Sequence, residues 1–325
     1  MSEITVVIPN YNGIKYLNDC LKALYAQVPQ TPEYEVLIVD NASGDGSLEQ
    51  AESCFPKVRI IRLTENTGFC HAVNVGIQAS DSPYIILLNN DTKVKSKFIK
   101  SLYDVIVRDE KIFSTSAKML MWDRPDLIDD AGDQYNVLGW AYARGKGRPS
   151  KIYNKSARIF SSCGGAAIYR RSILERIGLF DELHFAYLED LDLGYRANIH
   201  GYHNVYAPRA EVLHFGSAST GSRYNLRKTE LASANNVYVA WKNMPLLQLI
   251  WNLPFLLLGF TLKWLFFCRK GMGCTYLKGV YKGIRRCVGR EGRSHKVKFH
   301  WKNLGHYLNI QWQLYMNLFR FLKKD

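Results

Sequence analysis

The sequence predicts an α/β domain, with a mostly parallel sheet flanked by helices, followed by a C-terminal helical region. Short apolar runs rich in β-branched residues recur from residue 4 to residue 88, and segments with helical spacing separate them. Right-handed crossovers then bring each strand beside its predecessor in a parallel sheet. The excess positive charge lies only in the last third of the chain. We therefore divide the chain into residues 1–225 and residues 226–325.

Four apolar runs are the predicted strands: ITVVI (4–8), EVLIV (35–39), VRIIRL (58–63) and YIILL (84–88). Apolar residues between the first two runs recur at helical spacing. They are Leu17, Cys20, Leu21 and Leu24. After Phe69, the residues Ala72, Val73 and Ile77 share one side of a second predicted helix. Strands that alternate with helices in this way indicate an α/β sheet.

Composition excludes several classes of protein. The chain has 325 residues, 47% of them hydrophobic, and only 10 prolines, so it can bury a sizeable core. Its seven cysteines are scattered without a CxxC pair, which argues against a disulfide framework or a zinc site and favours a reducing cytosolic compartment. The first predicted strand begins at Ile4 without a charged leader, so we expect no secretory signal.

Polar or turn-forming residues follow each predicted strand. These segments are PNYNG (9–13), DNASGDGS (40–47), TENTG (64–68) and NND (89–91). The carboxyl ends of parallel strands meet at one edge of the sheet, where open α/β sheets bind ligands. Turn formation alone could explain any one of these segments. Neither GxxxxGK[ST] nor GxGxxG is present, so the common phosphate-binding loops are excluded.

Five motifs carry a resemblance to a known family: VVIPNYNG, VDNASGDGS, ENTGFCHAVNVGI, LLNNDT and FAYLEDLDLGYRA. In this order and spacing, between residue 4 and about residue 220, they resemble the inverting family 2 glycosyltransferases. The most similar subgroup is that of the rhamnosyltransferase-like enzymes of bacterial polysaccharide assembly. The resemblance implies the GT-A fold, a nucleotide diphosphate-sugar donor and transfer with inversion, with rhamnose as a candidate sugar.

The resemblance implies donor-binding roles for residues in the first three loops. Pro9 and Tyr11 would lie against the nucleoside, where a tyrosine ring can stack on a base. Asp40 would accept a hydrogen bond from a pyrimidine N3–H. Gly68 and Asn74 would lie beside the ribose and diphosphate. The alternatives are that the tyrosine ring packs on the following helix, that the carboxylate caps a helix, and that Asn74 is a solvated surface residue.

The NND segment departs from the DxD motif that most relatives carry. Asp91 keeps the carboxylate at the position that usually binds the metal, and Mg²⁺ or Mn²⁺ favours oxygen ligands. Asn89 and Asn90 would bind the ribose or phosphate of the donor as neutral groups. His214, after the predicted strand AEVLHF, is a candidate second ligand, or else an ordinary structural histidine. The following loop offers groups that could close over the diphosphate: Ser217, Ser219 and Arg223.

The segment LEDLDLGYR supplies the candidate catalytic base. Its three carboxylates, Glu189, Asp190 and Asp192, cannot share one helix face, because adjacent residues point about 100° apart. An inverting transfer needs a general base near the acceptor hydroxyl, and the resemblance gives that role to Asp190, with Glu189 binding the acceptor or orienting the base. Gly164 and Gly165 would let the acceptor approach the backbone. The alternative is that the acids only favour the positive end of a helix.

The last third of the chain suggests a membrane partner. Residues 216–325 hold 19 Lys and Arg against 3 Asp and Glu, whereas residues 1–215 hold 24 against 26. Residues 246–268 are apolar except for a few positions, four of which form a narrow polar stripe on a helix: Gln248, Asn252, Gly259 and Lys263. Pro254 and Lys263 favour a kinked re-entrant or interfacial helix over a spanning one.

A second amphipathic helix is predicted at residues 301–324, and residues 269–298 between the two helices are rich in Lys and Arg. Basic clusters beside an amphipathic helix bind anionic cytoplasmic lipid. The alternative is that both segments are ordinary buried helices of a C-terminal bundle.

Taken together, the residues and the resemblance predict a metal-dependent glycosyltransferase at the cytoplasmic face of the inner (plasma) membrane, peripheral or monotopic. Its donor would be a dTDP-, UDP- or GDP-sugar, its acceptor a polyprenyl-diphosphate-linked saccharide, and its cofactor Mg²⁺ or Mn²⁺. We expect no nucleic-acid partner. Two alternatives stay open: a basic protein that binds nucleic acid through its tail, and a scaffold that binds the donor without turnover.

Overall fold

The computed structural model describes residues 2–216 and 225–323, which form one mixed sheet with helices on both faces and a group of C-terminal helices. The strands are β1 (Ile4–Asn10), β2 (Tyr34–Asp40), β3 (Arg59–Arg62), β4 (Tyr84–Leu88), β5 (Thr92–Val94), β6 (Ile112–Met121), β7 (Ile128–Asp130), β8 (Asp133–Tyr135), β9 (Ala141–Ala143), β10 (Ala157–Ile159), β11 (Ala166–Arg170) and β12 (His203–His214). The helices are α1 (Leu17–Tyr25), α2 (Ser47–Cys54), α3 (Phe69–Gln78), α4 (Phe98–Ile106), α5 (Arg171–Ile177), α6 (Glu189–Ile199), α7 (Leu226–Asn243), α8 (Leu246–Arg269), α9 (Gly273–Val288), α10 (Arg290–Ser294) and α11 (Leu304–Lys323).

The sheet confirms the predicted α/β class. Its strands follow the order β10-β12-β6-β11-β4-β1-β2-β3, and β1 to β4 are the four predicted strands. The pairs β4-β1, β1-β2 and β2-β3 are parallel, as is β6-β12, whereas β11 runs antiparallel to both of its neighbours. Because β11 is reversed, Ala166 at its start pairs with Leu88 at the end of β4. The residues before β11 therefore lie beside the NND segment.

Two apolar layers hold the sheet rigid beneath this edge. In β1, Val6 and Ile8 point into one layer and Val7 into the other, and all three are fully buried. Burial of a side chain of this size stabilises the fold by roughly 1.5–3 kcal/mol. The alternation along a strand buried on both faces explains why the predicted strands read as continuous apolar runs.

The C-terminal segment begins inside the same apolar core as α6. A third cluster of buried apolar residues joins α6, α7, α8 and α11 to β8, with Tyr195, Val239, Leu256 and Leu314 among its members. The predicted division at residue 225 separates the sheet from the later helices along the chain. In packing, however, α7 is part of the unit that carries α6.

Two positions of the polar stripe of α8, Asn252 and Gly259, face protein. The Asn252 amide exchanges hydrogen bonds with Gln311 of α11, and Trp140 Nε1 donates to the carbonyl of Gly259 at 3.0 Å. The rest of α8 is largely exposed, including Leu247 and Leu257. Among the described helices, α8 is the one long and apolar enough to cross a membrane, judged by length and composition.

Candidate active site

Asparagine side chains tie three strand ends together at the carboxyl edge of the sheet. Asn10, at the end of β1, donates from Nδ2 to Asp40 Oδ1 at 2.8 Å. Asn90, after β4, donates from its own Nδ2 to Asn10 Oδ1 at 2.7 Å. Gly13 is needed here because a Cβ at that position would overlap both asparagine side chains. Sequence reasoning missed Asn10, although it stands in the PNYNG loop.

Asp40 is buried and accepts hydrogen bonds from within its own loop. The Ser43 backbone N–H donates to Oδ2 at 2.8 Å and the Ser43 hydroxyl donates to Oδ1 at 2.6 Å. The carboxylate that accepts from the Ser47 N–H is that of Asp45, at 3.1 Å, so Asp45 rather than Asp40 caps the start of α2. Tyr11 is 43% exposed, which leaves its ring available for stacking instead of packed in the core. Pro9 lies one residue before Asn10 in β1.

Gly68 and Asn74 lie against the protein's own loop. Gly68 has a φ of 89°, and a Cβ there would meet the ring of Phe185. The Asn74 amide donates to the Phe180 carbonyl and to Glu182 Oε1, both at 2.9 Å, and its oxygen accepts from the Phe180 N–H at 3.0 Å. Both ends of the Asn74 amide are thus engaged, so this residue positions the loop before α6. Asn74 is buried and is therefore not a solvated surface residue.

Asp91 and His214, the two candidate metal ligands, lie close together at the edge of the sheet. They converge because β5 pairs antiparallel with the end of β12, which sets His214 opposite Thr92. His214 Nε2 lies 3.5 Å from Asp91 Oδ1, and His214 Nδ1 lies 2.7 Å from Asp129 Oδ2. Burial alone would lower the pKa of His214, but the hydrogen bond to Asp129 and the negative charges of Asp129 and Asp91 outweigh burial and raise it to about 9.

This pair can hold a divalent cation once His214 has lost a proton, because only the neutral imidazole binds a metal. Asp91 Oδ1 is buried and accepts no hydrogen bond from the described residues. Metal-binding histidines commonly donate their other ring N–H to a carboxylate, and Asp129 occupies that position. An oxygen and an imidazole nitrogen suit Mn²⁺ better than Mg²⁺. Sequence reasoning missed Asp129, which lies 85 residues from His214 along the chain.

Asp190 lies on the same rim of the sheet as Asp91. Gly164 and Gly165 connect Asp190 to the NND segment. Asp190 Oδ2 accepts from the Gly164 N–H at 3.3 Å, and its Oδ1 accepts from the Leu191 N–H at 2.7 Å. The carbonyl of Gly165 accepts from the Asn89 N–H at 2.9 Å. Burial raises the pKa of Asp190 against the lowering effect of the two backbone N–H groups. A carboxylate with a raised pKa is a stronger base.

Glu189 and a second acidic group accompany Asp190. Glu189 is 7% exposed, and its Oε2 has no hydrogen-bond partner among the described residues. Burial, and then the charge of Asp190, raises the pKa of Glu189 well above its ordinary value. The ligand atoms of Asp130, Asp133 and Cys163 lie within 4.8 Å of one another. Burial is the main reason that the pKa of Asp130 rises to about 7, and the charge of Asp190 contributes.

Asp192 faces away from this rim, which agrees with the expectation that the three carboxylates diverge. It accepts from Lys242 at 2.8 Å and from Arg196 at 3.0 Å, and both cations are themselves buried. Asp181 accepts from the same lysine at 2.7 Å. Asp181, His184 and Asp192 are close enough together to hold a metal ion. We assign them a structural role, because fixed cations already neutralise the carboxylates.

The backbone before α6 is held in an unusual conformation by α7. Three non-glycine residues have φ between 60° and 71°: Phe185, Tyr187 and Leu188. Each left-handed residue of this kind costs roughly 1–2 kcal/mol. The amide of Asn235 donates to three carbonyls in residues 184–187 at 2.8–2.9 Å, and its oxygen accepts from Arg286 at 2.6 Å. Neither residue was predicted, because the sequence gives no local signal for such a brace.

The family comparison decides the identity of this site. The family described as Glycosyl transferase family 2 matches residues 5–178. The chain belongs to this family.

The predicted loop residues Ser217, Ser219 and Arg223 lie outside the described residues.

One curated relative and two solved structures resemble this chain. The Mycobacterium tuberculosis protein named N-acetylglucosaminyl-diphospho-decaprenol L-rhamnosyltransferase is 30% identical over 215 residues, which cover 57% of this chain and 68% of the relative. Staphylococcus aureus TarS 1–349, solved with UDP-GlcNAc, has a TM-score of 0.54 at 16% identity and covers 94% of this chain and 79% of its own. Pyrobaculum calidifontis mannosyltransferase PcManGT, solved with GDP-Man and Mn²⁺, has a TM-score of 0.52 at 15% identity, with shares of 96% and 85%. These likenesses confirm the predicted GT-A fold.

Proposed function

We propose that this family 2 glycosyltransferase moves a sugar from a nucleotide diphosphate donor to a saccharide carried on a polyprenyl diphosphate, with inversion at the anomeric carbon. One observation carries the proposal. The Asp91–His214 pair and Asp190 lie on one rim, joined through Asn89, Gly165 and Gly164. A transferase needs its leaving-group site and its base on either side of one reacting carbon.

In this proposal the donor lies along the joined ends of β1, β2 and β4. Tyr11 stacks on the base, Pro9 and Asp40 line the nucleoside site, and Asn89 and Asn90 bind the ribose or phosphate. Asp91 and His214 hold the divalent metal, Mn²⁺ or Mg²⁺. A bound cation would supply positive charge to the leaving diphosphate.

Asp190 acts on the acceptor. It takes the proton of the acceptor hydroxyl as that oxygen bonds to the anomeric carbon, and the bond from this carbon to the phosphate oxygen of the donor breaks. The electron pair of the broken bond leaves with the nucleoside diphosphate. Glu189 orients the acceptor, and Gly164 and Gly165 let the acceptor approach the backbone, because a side chain at Gly165 would press on Asn89.

The candidate substrates follow from the name of the M. tuberculosis relative. The M. tuberculosis rhamnosyltransferase acts, by its name, on N-acetylglucosaminyl-diphospho-decaprenol. We therefore propose a deoxysugar donor such as dTDP-rhamnose and an acceptor of the same lipid-diphosphate class. PcManGT binds GDP-Man and Mn²⁺ in its solved structure, which supports testing more than one nucleoside with manganese.

The C-terminal helices would hold the enzyme at the cytoplasmic face of the membrane. Helix α8 contacts α11 and the 138–140 turn along its length, so a spanning α8 would carry polar protein into the bilayer with it. We therefore propose that α8 lies in the interface, in a monotopic arrangement. Helix α9 presents a second exposed apolar stripe at helical spacing: Leu277, Tyr281, Ile284 and Val288. Lys278, Lys282 and Arg285 flank this stripe. Glu230 pairs with the two lysines, and the net positive charge that remains suits anionic headgroups.

A donor screen tests the proposed function. The midpoint of thermal unfolding is measured with dTDP-, UDP- and GDP-sugars, each with and without Mn²⁺, because a ligand that binds the folded state raises it by mass action. The stabilising donor is then incubated with a prenyl-diphosphate-linked saccharide, and the anomeric configuration of the product is read by NMR. We expect a manganese-dependent shift and an inverted product. Donor binding without transfer to any acceptor would favour the scaffold alternative.

A further inference from the structure

An apolar groove lies between the β8–β9 hairpin and helices α8 and α11. Its volume is about 280 Å³. Apart from Lys263, its lining is apolar or aromatic: Trp140, Ala141, Tyr142, Leu262, Phe266 and Phe321. We propose that this groove binds the first isoprene units of the acceptor's lipid, with the ammonium of Lys263 receiving the diphosphate. This inference rests on the proposed transfer to a prenyl-diphosphate-linked saccharide.

The aromatic walls of the groove are held in place by the protein. Trp140 Nε1 donates to the Gly259 carbonyl at 3.0 Å, and the Tyr142 hydroxyl donates to the Asn317 carbonyl at 2.7 Å. Phe321 packs edge-on against both rings, with centroid distances of 5.5 and 5.1 Å. The polar edges of Trp140 and Tyr142 are thus satisfied within the protein. What remains for a ligand is a preformed hydrocarbon surface, which suits an unsaturated hydrocarbon chain.

Lys263 supplies the charge that a diphosphate requires. Among the described residues no carboxylate forms an ion pair with Lys263, whereas Lys242 and Lys146 are each paired with an aspartate. Lys263 belongs to the polar stripe of α8 and lines the groove beside Leu262. A cation in the lining of an apolar groove matches an amphiphile with an anionic head.

The groove and an acidic cluster of the candidate active site share the β8–β9 hairpin. Strand β8 begins at Asp133, whose carboxylate lies within 4.8 Å of the ligand atoms of Asp130 and Cys163. The next residue, Gln134, pairs with Tyr142 of the groove across the hairpin. Leu262 and Phe266 are each 41% exposed, so the groove opens onto the surface proposed to meet the membrane.

Binding of a short prenyl diphosphate tests the groove without any transfer step. Farnesyl diphosphate is titrated into the full chain by calorimetry, and Ala141→Trp fills the groove. Leu257→Trp is the matched control, because Leu257 lies on the exposed face of α8 outside the lining. We expect Ala141→Trp to weaken binding at least tenfold and Leu257→Trp to change it less than twofold. Equal affinity in the Ala141→Trp variant and the unmodified chain would overturn the inference.

A second variant and a second ligand complete the test. Lys263→Met, which leaves the lining in place, should weaken binding of farnesyl diphosphate at least fivefold and leave binding of farnesol unchanged. Dodecyl diphosphate reports on ordinary straight-chain lipids, and affinity for it equal to that for farnesyl diphosphate would contradict a prenyl site. Thermal unfolding of each variant shows that it is folded.

Transfer kinetics separate this inference from the proposed function. With a farnesyl-diphosphate-linked saccharide as acceptor, Ala141→Trp should raise the acceptor KM at least tenfold. With the methyl glycoside of the same saccharide, the acceptor KM should not change. Should no acceptor be glycosylated at all, the proposed function fails, yet the farnesyl diphosphate titration still decides whether the groove binds a prenyl chain.

Discussion

The hydrogen bonds of single asparagine residues decide the shape of the donor edge. The amide nitrogen of Asn10 donates to Asp40 and its oxygen accepts from Asn90, so hydrogen bonds link the ends of three strands. Gly13 lies against this link, and Gly44 lies in the neighbouring loop with open space around it. The two glycines therefore offer a matched pair of substitutions.

We expect Gly13→Ala to weaken donor binding about tenfold, because the added methyl group breaks the Asn10–Asn90 bond, and a lost buried hydrogen bond costs roughly 1–3 kcal/mol. Gly44→Ala should change donor affinity less than twofold. The measurement is the donor Kd by calorimetry in the presence of Mn²⁺. Equal effects from the two substitutions would show that the asparagine link does not shape the donor site.

Asp129 is the residue whose role is least visible in the sequence. We expect Asp129→Asn to weaken Mn²⁺ binding by about 10- to 100-fold, because the carboxylate orients the His214 ring and supports its basicity. Asp126→Asn is the control, since Asp126 is exposed and touches neither ligand. Manganese titration followed by electron paramagnetic resonance gives both affinities. Unchanged manganese affinity in Asp129→Asn would argue against His214 as a ligand.

At this scale the sequence pointed to candidate residues of the site but not to their partners. Asp91 and His214 could be named as candidate ligands because the family resemblance assigns a metal to both positions. Asp129 and Asn10 could not be named, because their contacts join parts of the chain that are far apart in sequence. Nor could the sequence show that the amide of Asn74 bonds to Phe180 and Glu182.

Among the secondary-structure elements, α7 has the most consequence for catalysis. It braces the strained loop before α6 through Asn235 and holds Asp192 through Lys242. It also packs against α9, where side chains at Gly279 and Gly283 would collide with α7. The element that positions Asp190 is therefore in contact with an element proposed to meet the membrane.

We expect Asn235→Ala to lower kcat about tenfold or more while leaving the donor KM within twofold, because the loop that leads into α6, the helix of Glu189 and Asp190, loses its hydrogen bonds to Asn235. Asn236→Ala is the control, since Asn236 is buried and its amide has no hydrogen-bond partner among the described residues. Steady-state kinetics with varied donor separate the two parameters. A rise in donor KM with unchanged kcat would contradict a positioning role.

The elements themselves were largely predictable. The strands β1 to β4 follow apolar runs, and the stripe of α8 follows from its spacing, because both patterns are local. The β8–β9 hairpin and the reversal of β11 were not predicted. The strands of the hairpin have only three residues each, which is too short for a periodic pattern. The reversal of β11 depends on its pairing with β4 and β6, which lie far away in the chain.

On the scale of the whole molecule, charge and apolar surface are segregated towards the C-terminal helices. The excess of positive charge after residue 215 coincides with the exposed apolar residues of α8, α9 and α11. The sequence predicted α8 and α11 as amphipathic helices. It left open whether protein or lipid covers their apolar faces, because the two cases give the same sequence pattern. Helix α11 buries Tyr307, Ile310 and Leu314 in the core shared with α6.

We expect Ile284→Asp to reduce binding to phosphatidylglycerol-containing vesicles at least fivefold, because it places a carboxylate in the exposed stripe of α9. Ile152→Asp is the control, since Ile152 is similarly exposed on the sheet domain, at 59% against 51%. Vesicle cosedimentation at low and high salt measures the binding. Loss of binding in both variants, or in neither, would contradict a membrane face formed by α9.

The central claim is that one rim of the sheet holds both the leaving group of the donor and the base for the acceptor. Single-turnover transfer by Asp190→Asn tests it most directly, with donor Kd measured on the same sample. The account predicts unchanged donor affinity and a transfer rate at least 100-fold lower, in line with the usual contribution of a general base. A transfer rate equal to that of the unmodified enzyme would contradict it.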